Sequence, residues 1–345
     1  MVKREIVEQI GGFRAQYDGA QDYDFILRSI ERAAYVAHVP RVLYHWRTSA
    51  NSTADNPESK QYAYEAGRRV VEDYLLKHGI AAAVTDTRSH GIYRVRYQVE
   101  GNPLVTVCVT GSHKGEAPER VLNKSGWANR EVLLLPETTG KEREQLLQSA
   151  KGEYLLLLSA DMRDAAKDWL KELIGHCQRE EVAAAGGKIL DRKGRILHAG
   201  RIIGLGNMAG SAFAGMRGER YGYMHRADEQ MDYSALDGAC MLIKTDAFFA
   251  AGGFAPELSW EAAILDLCFR LRKPGHLLVY TPYAVMRRGC LYTERQEISE
   301  TEKEYLLQCW QEQLLKPDSC YNENLTLAGP GYLLHPEKEK NGILS

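Results

Sequence analysis

The chain repeats itself once, and that repeat constrains its fold more than any other feature. Residues 2–28 read VKREIVEQIGGFRAQYDGAQDYDFILR, and residues 243–270 read IKTDAFFAAGGFAPELSWEAAILDLCFR. Each copy has a short helical pattern, then Gly-Gly-Phe, an irregular stretch and a second helix ending in arginine. Arg28 lies over Arg270 with one inserted residue. Farther on, Val39-Pro40-Arg41-Val42-Leu43 lies over Thr281-Pro282-Tyr283-Ala284-Val285. A glycine closing a helix is common, but three segments in register point to duplication. The long period means two domains and not a stack of short units. A length of 345 residues also suits about two domains. Copy 2 has a long stretch ahead of its Gly-Gly-Phe that copy 1 lacks. The expectation is therefore a first domain without its front half.

That front stretch reads as α/β. Leu104 to Val109 is a buried strand ending in Thr110-Gly111-Ser112, Glu131 to Leu135 a second, and Tyr154 to Leu158 a third. Helical patterns run over 141–150 and 165–179. Continuous apolar strands alternating with helices predict a parallel sheet covered on both faces. Ligands of such sheets sit beyond the carboxyl ends of the strands. Thr110 to His113, Glu137 and Ser159-Ala160-Asp161 would then share one crevice edge. Residues 58–79 read as an amphipathic helix, 80–102 as a strand-rich connector and 296–315 as another helix. The tail after Pro336 is polar and expected to be mobile.

Composition removes several classes. Lys and Arg total 44 against 46 Asp and Glu, a net charge of -2, which argues against nucleic acid as the main partner. The seven cysteines are odd in number and form no Cys-x-x-Cys pair, so reduced thiols are expected and not a disulfide frame or zinc site. Apolar runs such as Leu155 to Leu158 fall far short of the roughly 18 residues a membrane span needs.

Some residues could carry chemistry. Asp22 and Asp24 stand two apart at a helix start: both can serve as helix caps, or one can face a cleft as a general base. His45, in His45-Trp46-Arg47, follows an expected strand; it reads either as a metal ligand or as an exposed strand end. Asp161 at a strand terminus can hold a divalent cation on a diphosphate, though alone it is a weak ligand set. Trp260 is either a core residue or an aromatic platform for a ligand. Gly204 to Gly210 lacks the Gly-Lys-Ser/Thr of a phosphate loop and reads as a flexible loop.

The pattern as a whole resembles family 2 glycosyltransferases with a GT-A fold, particularly the tandem-domain bacterial enzymes of surface polysaccharide synthesis. The carriers are Gly11-Gly12-Phe13 with Gln21-Asp22-Tyr23-Asp24 and Val39 to Arg47 in copy 1. In copy 2 they are Gly152 to Asp161, Gly187-Lys188, His198-Ala199-Gly200, Tyr233 to Cys240, Gly252-Gly253-Phe254, Asp266-Leu267-Cys268 and Tyr280 to Ala284. The resemblance implies a mixed sheet flanked by helices, plus a partial copy at the N-terminus. It divides the chain into 1–80, the acceptor-side part of a first domain; 81–102, a connector; 103–325, a second domain; and 326–345, a tail. It implies a nucleotide-diphospho-sugar donor, a glycan or lipid-linked glycan acceptor, manganese or magnesium, and inversion at the anomeric carbon. The expected place of work is cytoplasmic, at the inner face of the membrane.

Carried over by position, Asp22 is the base with Asp24 beside it, and His45 and Asp161 are metal ligands. Thr110, Glu137, Lys188 and Asp161 face the nucleotide, and Trp260, Asp237, Gly238, Glu261 and Asp266 the acceptor. Copy 2 departs from the pattern. Ile264 stands where copy 1 has Asp22, Arg287 where it has His45, and Ser159-Ala160-Asp161 keeps only the last acid of the metal motif. Isoleucine accepts no proton and arginine ligates no cation, so copy 2 reads as degenerate, its metal lost. A rescue would use Glu261 as base and Arg287 with Arg288 to hold diphosphate. The rival class is a non-catalytic glycan- or nucleotide-binding module whose front half lies on a partner polypeptide.

Overall fold

The computed structural model describes residues 1–41, 43–45, 61–111, 118–136, 141–206, 208–291 and 298–335. It divides into two units, Met1–Gln98 and Val99–Ser345.

Unit 1 holds α1 (Arg4–Ile10), α2 (Gln21–Ile30), α3 (Gln61–Lys77) and a hairpin of β1 (Ala82–Asp86) and β2 (Tyr93–Tyr97). The apolar side of α3 buries Ala66, Val70, Val71 and Leu75. No strand forms over the described residues among 35–45, so His45 is exposed and does not follow a strand as expected. The matching stretch of unit 2 is a strand because it pairs with neighbouring strands.

Unit 2 begins with β3 (Val105–Thr110), α4 (Glu119–Asn123), β4 (Arg130–Leu134), α5 (Lys141–Gln148), β5 (Tyr154–Ser159), β6 (Met162–Ala165), α6 (Trp169–Cys177) and β7 (Val182–Leu190). Short strands β8 (Ile196–His198), β9 (Arg201–Ile203), β10 (Ala209–Ser211) and β11 (Met231–Asp232) follow. The unit closes with β12 (Cys240–Lys244), α7 (Thr245–Ala250), α8 (Trp260–Arg272), β13 (Leu277–Arg288), α9 (Glu300–Cys309) and α10 (Gln311–Leu315). The central sheet runs β11-β13-β7-β12-β5-β3-β4, with β6 on β13 and β8 on β7. It is mixed: β4, β3 and β5 are parallel, β12 is antiparallel to β5 and β7, and β13 runs parallel to β7.

Alternation along the strands builds two cores. Leu156 and Leu158 of β5 join α6 on one face through Trp169, Leu173 and Ile174. Leu155 and Leu157 join α8 on the other through Ala263, Leu267 and Leu271. The helix expected over 165–179 starts at Trp169 because Met162–Ala165 pairs with β13. The helix expected over 296–315 breaks at Trp310, whose indole N–H donates to Asp266 at 2.8 Å while its ring packs 5.3 Å from Phe269. Residues 326–335 are no loose tail: Tyr332 is buried. The segment after 335 lies outside the described residues.

Candidate functional site

The duplicated segments fold alike in detail. Helix α1 ends on Gly11 and Gly12, and α7 is followed by Gly252 and Gly253; all four have left-handed φ between 66° and 86°. Gly12 N–H donates to Val7 O at 3.1 Å and Gly253 N–H to Phe248 O at 3.0 Å, the same six-residue closure of a helix end. Asp24 of α2 accepts from Arg28 Nε and Nη2, and Arg28 also donates from Nη1 to Ile10 O (2.5 Å) and from Nη2 to Gly12 O (2.7 Å). In unit 2, Asp266 accepts from Arg270 at 2.6 Å, and Arg270 donates to Ala251 O. This carboxylate and the arginine four residues on lock the second helix of each copy onto the end of the first.

That geometry engages both carboxylates fully. Asp24 is 2% exposed and lies between Arg14 and Arg28. Its burial alone would raise its pKa; the two guanidinium groups hold it below the usual carboxylate range. Asp266 is equally buried and also accepts from Trp310. Both carboxylates, expected at the base and acceptor positions, are engaged as tie points between helices. Asp22 is different. It stands in the first turn of α2, exposed, with one carboxylate oxygen accepting from Tyr23 N–H at 2.9 Å. Its counterpart Ile264 is fully buried.

In unit 2 the strand directions bring the ends of β3, β5, β7 and β13 and the start of β12 to one edge. Thr110 pairs with Ser159 across β3 and β5, and Ser159 N–H donates to Ala239 O at 2.8 Å. Gly238 lies so close to α8 that a Cβ there would fall 2.6 Å from the Ile264 side chain. Thr110 and Asp161 thus lie at this edge, where strand order puts them, and Asp237, Gly238, Glu261 and Arg288 lie there too.

Their chemistry is closed by arginine. Asp161 accepts from Arg288 Nε through both oxygens, at 2.8 and 3.1 Å, and from Ser159 Oγ at 2.6 Å. Arg201 of β9 donates to Asp237 at 2.6 Å and also to Glu261. His198 Nδ1 lies 2.9 Å from Asp237. Burial would lift the Asp237 carboxyl; His198 and Arg201 hold it well below the ordinary range. The described residues of unit 2 do not fit a divalent cation: Arg288 engages Asp161, and no group of three or more His, Cys, Asp or Glu side chains could hold a metal among them. Glu261, bound to Arg201, is equally committed.

The other expectations divide. Lys188 is buried in β7, with Nζ 2.7 Å from Asp228 and 3.3 Å from Gly218 O, so it anchors a loop and does not face a nucleotide. Trp260 is half-buried, 5.3 Å from the Phe254 ring, with the Arg143 guanidinium 5.9 Å from its centroid. Glu137 lies outside the described residues. Sequence reasoning missed Arg201; its signal was one charge in an apolar stretch, Arg201-Ile202-Ile203.

No family model matches the chain. It is 32% identical over 374 residues to an uncharacterized protein, y4gI, of Sinorhizobium fredii, covering 95% of this chain and 41% of that one. It is 28% identical over 377 residues to the O-antigen biosynthesis protein RfbC of Myxococcus xanthus, covering 98% of this chain and 29% of that one. The chain therefore spans well under half of either relative. Among solved structures, GalNAc-T7 with UDP, GalNAc and Mn2+ superposes at a TM-score of 0.47 and 15% identity, over 68% of this chain and 52% of that one. The mannosyltransferase PcManGT from Pyrobaculum calidifontis, in complex with GDP-Man and Mn2+, gives 0.34 and 12%, over 55% and 58%.

Proposed function

We propose that the chain works in bacterial surface-polysaccharide synthesis as a nucleotide-sugar-dependent, inverting, GT-A-type glycosyltransferase, with its chemistry kept in unit 1. The observation that carries this reading is the duplicated helix–Gly-Gly-Phe–helix segment, with an exposed carboxylate, Asp22, in one copy and a buried isoleucine at its place in the other. The role named for the Myxococcus relative, O-antigen biosynthesis, supports it. Asp22 takes the proton of an acceptor hydroxyl as that oxygen attacks the anomeric carbon. The sugar's bond to the diphosphate breaks, and the diphosphate leaves with the electron pair. In this reading unit 1 is the acceptor-side part of a GT-A-type domain. On α2, Ile26 is 51% exposed where its counterpart Cys268 is fully buried in a core. The work takes place at the cytoplasmic face of the membrane; no described helix is long and apolar enough to cross one.

The test is made in the native cell with the gene otherwise intact. Asp22→Asn removes the surface glycan from gels of cell extracts, since a general base supplies roughly 10²–10⁴ in rate. Asp161→Ala and Glu261→Gln spare it, provided the protein accumulates normally. Glycan loss with Asp161→Ala but not Asp22→Asn would put the chemistry in unit 2 and overturn the reading. A second reading, of unit 2 as a non-catalytic glycan-binding module, is favoured by the arginines that occupy Asp161, Asp237 and Glu261.

A further inference from the structure

Unit 2 has a cavity that none of the residues discussed above as site candidates lines. It lies between the stretch after β10 and the segment around Pro330, and its volume of about 530 Å3 is in the range of small-molecule pockets. Its surroundings are aromatic. The Phe213 and Tyr332 rings stack 4.6 Å apart at 12°, and Tyr223 lies 5.9 Å from Tyr332, again at 12°. Phe213 and Tyr332 are buried, while Tyr221 and Tyr223 are 39% and 42% exposed. The buried part is held firmly: Tyr332 Oη lies 2.9 Å from Tyr233 Oη, and Phe213 N–H donates to Pro330 O at 2.9 Å. The Lys188–Asp228 pair ties the same loop to β7.

The backbone here is also unusual. Among the described residues, five non-glycines have left-handed φ, and Phe213 (55°), Met224 (50°), His225 (62°) and Tyr332 (58°) are four of them. Such conformations persist where surrounding structure over-determines them, and they concentrate at ligand sites. A Cβ at Gly222 would meet the Phe213 ring at 2.6 Å, so the loop passes close over the stack.

We infer that this cavity is a carbohydrate subsite that takes one pyranose unit of a glycan; the inference rests on the reading of this protein as part of glycan synthesis. Flat aromatic faces suit the C–H face of a sugar ring. Arg220 and Glu219, which also line the cavity, suit its hydroxyls as donor and acceptor. Glu219 also lies 3.6 Å from Arg217, so the aromatic faces and not net charge select a hydroxyl-rich ring.

The full chain is titrated with the methyl glycosides of glucose, galactose, mannose and N-acetylglucosamine, followed by saturation-transfer NMR, with UDP as competitor. At least one glycoside binds. Tyr223→Ala weakens it about tenfold, as loss of one stacked ring does, and Tyr223→Trp restores it. Arg220→Ala, at an exposed position, gives an independent loss. Binding by no glycoside, binding unchanged in Tyr223→Ala and Arg220→Ala, or displacement by UDP overturns the inference. The glycan phenotype of Asp22→Asn is a separate readout. If it fails while Tyr223-dependent sugar binding holds, only the functional reading falls; in the reverse case only the subsite falls.

Discussion

Arg201 is a single side chain on which two carboxylates depend. It is 5% exposed, and Asp237 and Glu261 both accept from it. Exposed ion pairs contribute little, but removing one member of a buried set leaves an uncompensated charge. Arg201→Met is expected to destabilise unit 2 by about 3–5 kcal/mol, measured by urea unfolding followed by tryptophan fluorescence. A loss under about 1 kcal/mol would mean that His198 alone satisfies Asp237. The sequence showed at this scale which acids stand near the strand ends, because strand order and motif spacing fix that. It did not show which acids are neutralised. Arg288 lies 127 residues from Asp161 and Arg201 lies 60 from Glu261, and no local pattern reports such partners. Asp22 and Asp24 illustrate the same limit. Their two-residue spacing puts them on different sides of one helical turn, but only the fold shows which side meets arginine.

Helix α9 is clipped to α8 at its first turn. Ser299 caps α9, and Glu302 accepts from Ser299 Oγ at 2.7 Å and from the Ser259 N–H that precedes α8 at 2.6 Å. Partial burial works against the charge of Glu302, yet these hydrogen bonds hold its pKa at about 2, below its ordinary 4.5. A carboxyl depressed in the folded state stabilises fully above its unfolded pKa, and that contribution fades as pH falls from about 4.5 toward 2. Glu302→Gln should therefore cost about 1 kcal/mol at pH 7, and the gap to the parent should close across that acid range in denaturation curves. A gap that is constant with pH would assign the loss to packing. Elements with strong periodicity were legible from the residues. The strands expected near 104–109, 131–135 and 154–158 occur as β3, β4 and β5 within a residue or so, and the amphipathic pattern over 58–79 occurs as α3 from Gln61 to Lys77. Elements whose state depends on distant pairing were not. Met162–Ala165 is a strand because β13 lies beside it, and Trp310 interrupts a helical pattern because its indole docks on Asp266.

At the scale of the whole molecule the two units differ sharply in how much they bury. The buried apolar residues described in unit 1 are Tyr17, Ala20, Ala66, Val70, Val71 and Leu75, against the two extensive cores of unit 2. Heating should accordingly give two transitions, since each unit melts by its own core. Helical circular dichroism is expected to fall before the fluorescence of Trp127, Trp169, Trp260 and Trp310 changes; coincident curves would show one cooperative block. The two copies also differ at one position in a way that a single substitution does not bridge: Asp22 is exposed and Ile264 is buried. An acid placed at position 264 would seal a charge inside apolar packing beside Gly238, with Arg201 already committed elsewhere. Such a change is unfavourable unless others accompany it, so point mutation alone does not carry unit 2 to the arrangement of unit 1.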